Sequence, residues 1–215
     1  MPELTYFVEG AEAVPFAATP TLAFKLRVAN SAPAEAIHSV ALRSQINIEA
    51  TRRRYSAGEQ QRMIDLFGEP ERWSQTLGSL LWTHAGVTVP AFSESTSVDL
   101  LVPCTFDFNV AATKYFAGVS GGDIPLRFLF SGTIFYAGED GSLQVAPISW
   151  EKEASYQLAE ETWRAMMDSY YPNTAWLSLR RDVFERLYQY KVQRGIPTWE
   201  QVLESVLPVE ETVGK

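Results

Sequence analysis

The chain reads as an α+β protein: an antiparallel, sandwich-like β-sheet region followed by a helical C-terminal cap. Three observations lead there. Apolar and polar residues alternate with period two through much of the first 150 residues, the pattern of strands buried on one face. Past Trp150 the period changes to the i, i+3, i+4 spacing of amphipathic helices. The 215 residues, 46% hydrophobic and 20% charged, suffice for one well-buried core, and no stretch approaches the roughly 18 consecutive apolar residues of a membrane-spanning helix.

Leu22, Phe24, Leu26 and Val28 alternate with Ala23, Lys25 and Arg27, and Asn30-Ser31-Ala32-Pro33 supplies turn chemistry. Val40, Leu42, Ile46 and Ile48 then face one way, with the small Ser44 among them, and Arg43, Gln45, Asn47 and Glu49 the other. Two one-sided strands joined by a short turn predict an antiparallel pair. Ser56-Ala57-Gly58-Glu59 is a capping box, opening a short helix with Met63, Ile64 and Phe67 that Gly68 and Pro70 stop. Strands resume over 81–89 and in the run Val98, Leu100, Val102, Cys104, Phe106, Phe108. Pro103 cannot donate a ladder hydrogen bond and predicts an edge or a bulge there. A crossover helix over 111–119 precedes the strongest strand, 124–136, with Gly132 as its expected bulge, and Glu139-Asp140-Gly141 turns the chain into 143–148.

In the cap, Trp163, Met166, Met167 and Tyr170 lie at helical spacing before Pro172. Val183, Phe184, Leu187 and Tyr190 mark a second helix with Gly195 past its end, and Thr198-Trp199-Glu200-Gln201 opens a third with Val202, Leu203 and Val206. The expected organisation is thus a β-rich region with short helices over 1–150 and a helical cap over 151–215, packed together as one unit.

Charge and cysteine usage narrow the function classes. The formal net charge of −8, from 18 basic and 26 acidic residues, disfavours a nucleic-acid or anionic-membrane binder. Met1-Pro2-Glu3-Leu4-Thr5 shows neither a basic nor an apolar signal region, and the single cysteine cannot form an internal disulfide, so the cytoplasm is the expected location.

One catalytic string is present. Gly118-Val119-Ser120-Gly121-Gly122 fits G-x-S-x-G, but a nucleophile elbow needs a strand before it, a helix after it and a histidine downstream. Here the expected order is helix then strand, and both histidines, His38 and His84, lie upstream. His84, Cys104 and Asp107 lack metal-ligand spacing in sequence, although a site assembled in space would unite them. Cys104 falls on an apolar strand face, where a thiol behaves as a small hydrophobe. No phosphate loop occurs, and neither a cofactor nor a catalytic residue is nominated.

Two features stand out from the background. Arg52-Arg53-Arg54, followed by Tyr55, could grip an anion or an acidic partner, or else pair with local acids such as Glu49 and Glu59. The 6 tryptophans, 9 tyrosines and 12 phenylalanines are many for this length, and Trp150, Tyr156, Trp163, Tyr170, Tyr171, Trp176, Tyr188, Tyr190 and Trp199 crowd the C-terminal part. Aromatic stripes usually build core, yet Tyr and Trp also anchor protein interfaces. Tyr188 and Tyr190 stand about 160° apart around a helix, so one face cannot bury both. Trp82 and His84 complete the candidate binding residues.

Pro20-Thr21-Leu22, Arg52-Arg53-Arg54-Tyr55, Leu81-Trp82-Thr83-His84, Pro103-Cys104-Thr105-Phe106-Asp107, Phe130-Ser131-Gly132-Thr133 and Pro197-Thr198-Trp199 together resemble a bacterial family designated a domain of unknown function, over nearly the whole chain. The resemblance assigns no catalytic or binding residue. The resemblance implies genes that often lie among those of nickel–iron hydrogenases, and with them an accessory or assembly role. The sequence therefore predicts a non-enzymatic interaction protein, with a protein partner or self-association. An anion-binding module centred on Arg52–Tyr55 is the alternative, and an enzyme or metal site at His84, Cys104 and Asp107 is the third reading.

Overall fold

The computed structural model describes residues 2–32, 35–104, 110–174 and 177–207. The period-two segments form strands, all paired antiparallel, in two sheets. The smaller has the order β1-β2-β5, from β1 (Leu4–Ala13), β2 (Thr21–Asn30) and β5 (Ser95–Pro103). The larger runs from β4 (Leu80–Val89) through β3 (Ile37–Ile48) to β6 (Asp123–Ala137). The far side of β6 is shared by β8 (Glu153–Ala159), along Asp123–Leu129, and by β7 (Leu143–Pro147), along Thr133–Ala137. The α+β class is as the sequence predicts.

One core lies between the sheets. Leu22, Phe24, Leu26 and Val28 of β2 and Val40, Leu42, Ile46 and Ile48 of β3 are buried in it, as their alternation requires. Phe24 meets Phe128 of β6 edge-on at 5.1 Å and Trp82 of β4 at 6.1 Å, and Tyr6 of β1 stacks on Phe130 at 4.5 Å. Each such ring contributes about 1.5–3 kcal/mol by leaving water.

The structure corrects three sequence expectations. First, β2 and β3 are not partners: they belong to different sheets, and the chain crosses the sandwich between them. Asn30 secures that corner, its Nδ2 donating to the carbonyls of Ala32, Glu35 and Ser93. Alternation reports which face is buried, not which strand lies alongside. Second, Gly132 is no bulge, since the β3–β6 register runs unbroken through Leu42↔Gly132. Its φ of +135° brings the backbone so near β3 that a Cβ would lie 2.0 Å from the Ala41 carbonyl oxygen. Third, β8 continues the larger sheet beyond residue 150, where the change of period predicts only helices. The first strand, β1, is also absent from the sequence expectation, although Leu4 and Tyr6 alternate into the core.

Helices flank the sheets. Ser56 and Glu59 form the complete reciprocal box that starts α1 (Ala57–Arg62). Met63 separates α1 from α2 (Ile64–Phe67), and Gly68 at φ +74° ends the segment. The short α3 (Trp73–Thr76) leads into β4, and α4 (Val110–Gly118) is the expected crossover. Pro103 ends an edge strand, as expected; Phe106 and Phe108 lie outside the described residues. α5 (Glu160–Tyr170) buries Trp163, Met166 and Met167.

The chain divides into two compact units, 1–174 and 175–215. The second is a helical hairpin. α6 (Arg181–Arg194) ends on Gly195 in the left-handed conformation, and α7 (Trp199–Val206) begins at Thr198, whose hydroxyl accepts from the Gln201 amide. Only this half of the predicted capping box forms. Trp199 packs on Phe184 at 5.3 Å and on Tyr188 at 6.4 Å. No helix among the described residues is long and apolar enough to cross a membrane.

Candidate functional site

The inner face of the larger sheet is spent on the core; its outer face carries the candidate site. Residues paired across an antiparallel ladder share a face. The registers therefore set two rows side by side there: Gly86–Arg43–Ser131 and His84–Gln45–Leu129. With Trp150 from the β7–β8 connection they line an open cavity of about 650 Å³. Among the described residues its lining holds no carboxylate, in a chain with 26 acidic residues. Gly86 has no side chain to screen the flank of Arg43. Arg43 itself has no ion-pair or hydrogen-bond partner among the described residues, and the indole of Trp150 is 90% exposed. Further along the same face β7 presents Leu143, 63% exposed, and Val145, 59% exposed, opposite Ala137 and Phe135. Cation, imidazole, amide, hydroxyl and indole thus surround one hollow, with an apolar margin. The arrangement suits recognition of a carbon-rich, negatively charged group.

Of the candidates nominated from sequence, His84 alone belongs to this hollow. Trp82, two residues before it, points into the core, 4.9 Å from Phe116. A bulge separates them: Ile46 pairs with Thr83 but Asn47 with Leu81, so Trp82 is the extra residue and the side-chain phase reverses.

The arginine cluster is divided. Arg52 pairs with Glu49 at 3.7 Å. Arg53, 10% exposed, donates to Glu59 and to the carbonyls of Gly121 and Asp123, each at 2.7 Å. Arg54 is exposed. The Tyr55 hydroxyl bonds the Ala50 carbonyl at 2.7 Å and the Tyr115 hydroxyl at 2.8 Å. These contacts are the local pairing with Glu49 and Glu59 that the sequence offered against an anion grip.

The glycine loop shows why G-x-S-x-G occurs without an elbow. It runs from the end of α4 into β6, and its amides are taken by carboxylates: Ser120 N–H donates to Glu59 at 2.9 Å and Gly121 N–H to Glu160 at 3.1 Å. Burial alone would raise the Glu59 carboxyl. The Ser56 and Ser120 amides, Arg53 and the Ser56 hydroxyl outweigh it and hold the group down to about 2. This cluster is packing, closed on itself.

Cys104 is buried, and burial pushes its thiol up to about 12. Asp107 lies outside the described residues, so its relation to Cys104 and His84 does too. Among the described residues no three His, Cys, Asp or Glu side chains stand close enough to share a metal. In the helical hairpin, Tyr188 is half-exposed beside Trp199, and the Tyr190 hydroxyl lies 3.5 Å from that of Ser205. Sequence reasoning missed Arg43, Gln45, Ser131 and Trp150. The strand phase placed Arg43 and Gln45 on the outer face, but nothing in the sequence showed which strands flank them.

Two solved structures illustrate the comparisons with known proteins. A Bordetella pertussis protein assigned the name ApaA shares 16% identity over 74% of this chain and 94% of its own, with a TM-score of 0.26. A structural-genomics target solved by X-ray crystallography shares 10% identity over 84% of this chain and 93% of its own, with a TM-score of 0.23. At those scores neither bears on fold or function. No curated protein matches the chain. A family model does match, from residue 1 to residue 215, and the chain belongs to that family, the family of unknown function DUF6084.

Proposed function

We propose that the chain is a non-catalytic binding protein that takes a protein partner onto the outer face of its larger sheet. The observation that carries this reading is the open hollow of about 650 Å³ beside Trp150, with the exposed Leu143 and Val145 further along the same sheet face. Exposed tryptophan and arginine beside aliphatic side chains are the usual anchors of protein interfaces. An accessory role beside a hydrogenase, which the family resemblance implied, is one form of this reading.

The test is affinity purification of the tagged full chain from its native host, in parallel with Trp150→Asp and Leu143→Asp variants. A stoichiometric partner that both variants lose, with their thermal unfolding unchanged, is the expected result. A partner retained equally by both variants, or none recovered with the wild type, would remove the basis of the proposal.

A further inference from the structure

The geometry points to an acidic segment of the partner as the occupant of the hollow, with a carboxylate on Arg43 and its neighbouring apolar side chain on Trp150. This deepens the reading above and rests on it. Charge complementarity selects the occupant. Among the described residues of the larger unit, the lysines and arginines meet a carboxylate, or for Arg62 a carbonyl, with the exceptions of Arg43, Arg54 and Arg72. Of those three, Arg43 is the one that lines the hollow. The nearby Glu153 is already committed to Arg127 across the ladder. A guanidinium left without a counterion among the described residues, in a chain of net charge −8, therefore faces solvent across a hollow that no described acid lines.

The register supplies the rest of the recognition set. Ser131 stands directly opposite Arg43, and Gln45 is two residues along the same strand face, with His84 opposite it. A carboxylate seated on the guanidinium is thus beside the Ser131 hydroxyl as a further donor, while the Gln45 amide already donates to Asn47 Oδ1 at 3.2 Å. Gly86 leaves the other flank open for the approach. The indole then offers a broad apolar surface to the residue beside the acid. An acidic–aliphatic sequence fits this set; a basic segment would meet Arg43 as a like charge, and a purely apolar one would leave the guanidinium desolvated and unpaired.

The probe is a fluorescein-labelled peptide, Leu-Asp-Leu-Asp-Leu capped at both ends, compared with its Leu-Asn-Leu-Asn-Leu isostere by fluorescence anisotropy on the full chain. The acidic peptide is expected to bind about 10- to 100-fold more tightly than the amide isostere, the range of a hydrogen-bonded charge pair. Arg43→Ala should erase that preference, and Trp150→Ala should weaken both peptides alike. Because both side chains face solvent, circular dichroism should show unchanged folding. Equal binding of the two peptides to the wild type, or no binding of the acidic one up to millimolar concentration, overturns the inference. So does an acid preference that survives Arg43→Ala. If Trp150→Ala releases the native partner while Arg43→Ala does not, the acidic occupant fails and the docking face stands. If neither variant releases it, the docking face fails as well. A dimer in sedimentation analysis that Arg43→Ala dissociates would make a second copy the occupant and overturn the acidic-partner assignment.

Discussion

Glu59→Gln is the sharpest probe of what holds the larger unit together. Glu59 Oε1 accepts from Arg53 at 2.7 Å and from the Ser120 amide at 2.9 Å, while Oε2 accepts from the Ser56 amide and hydroxyl at 2.8 and 2.9 Å. Glutamine keeps the shape but offers one acceptor oxygen. Its NH₂ must face either the Ser56 donors or the Arg53 and Ser120 donors, and Arg53 stays buried without a counterion. The carboxyl is held at about 2 in the fold against an ordinary 4.5. At about 1.4 kcal/mol per unit, that difference stabilises the ionised folded state by about 3 kcal/mol. The loss agrees with the roughly 3–5 kcal/mol expected when one member of a buried pair is removed. Because the folded value is depressed, the contribution is full above about pH 5 and fades as pH falls from 4.5 towards 2. Urea unfolding followed by tryptophan fluorescence should give a wild-type advantage of about 3 kcal/mol at pH 7, shrinking to roughly half of that at pH 3. The exposed Glu71→Gln serves as control, expected within about 0.5 kcal/mol of wild type. A difference below about 1 kcal/mol at pH 7, or one independent of pH, would refute the assigned role of this carboxylate.

Other changes test separate parts of the fold. Gly132→Ala places a methyl 2.0 Å from the Ala41 carbonyl at a φ of +135°, so the variant should lose well over about 3 kcal/mol or fail to fold, read by thermal unfolding. Trp82→Ala empties a site between Phe24 and Phe116 and should cost about 3–5 kcal/mol, whereas His84→Ala, two residues away on the outer face, should leave the urea midpoint nearly unchanged. With its thiol buried and raised to about 12, Cys104 should resist a disulfide reagent at pH 8 in native protein and react at once in denaturant; rapid labelling of the folded chain would contradict that placement.

Features governed by near neighbours are legible in the amino-acid sequence. A complete capping box needs only Ser56 and Glu59 three positions apart, and Leu22 to Val28 needs only a pleat with one dry side. The pairing of Arg52 with Glu49 and of Arg53 with Glu59 is within reach for the same reason, since the partners are three and six residues apart. Expectations that depend on distant chain fail. A short turn between β2 and β3 makes them natural partners, yet each has better neighbours elsewhere. The separation of Trp82 from His84 hangs on one extra residue in β4, visible only against the register of β3.

The candidate site belongs wholly to that second kind. Arg43, Ser131 and Trp150 are ordinary surface residues one at a time; antiparallel pairing of β3 with β6 and the path of the β7–β8 connection set them around one hollow. Fold class, helix caps, buried strand faces and the lack of a strand-to-helix elbow at Ser120 all follow from interactions a few residues long, and all are written in the order of the amino acids. Strand neighbours are not, nor is the division of the cations into those neutralised internally and the one left facing the hollow. Register and pairing are chosen by the whole core at once, among residues far apart in the chain.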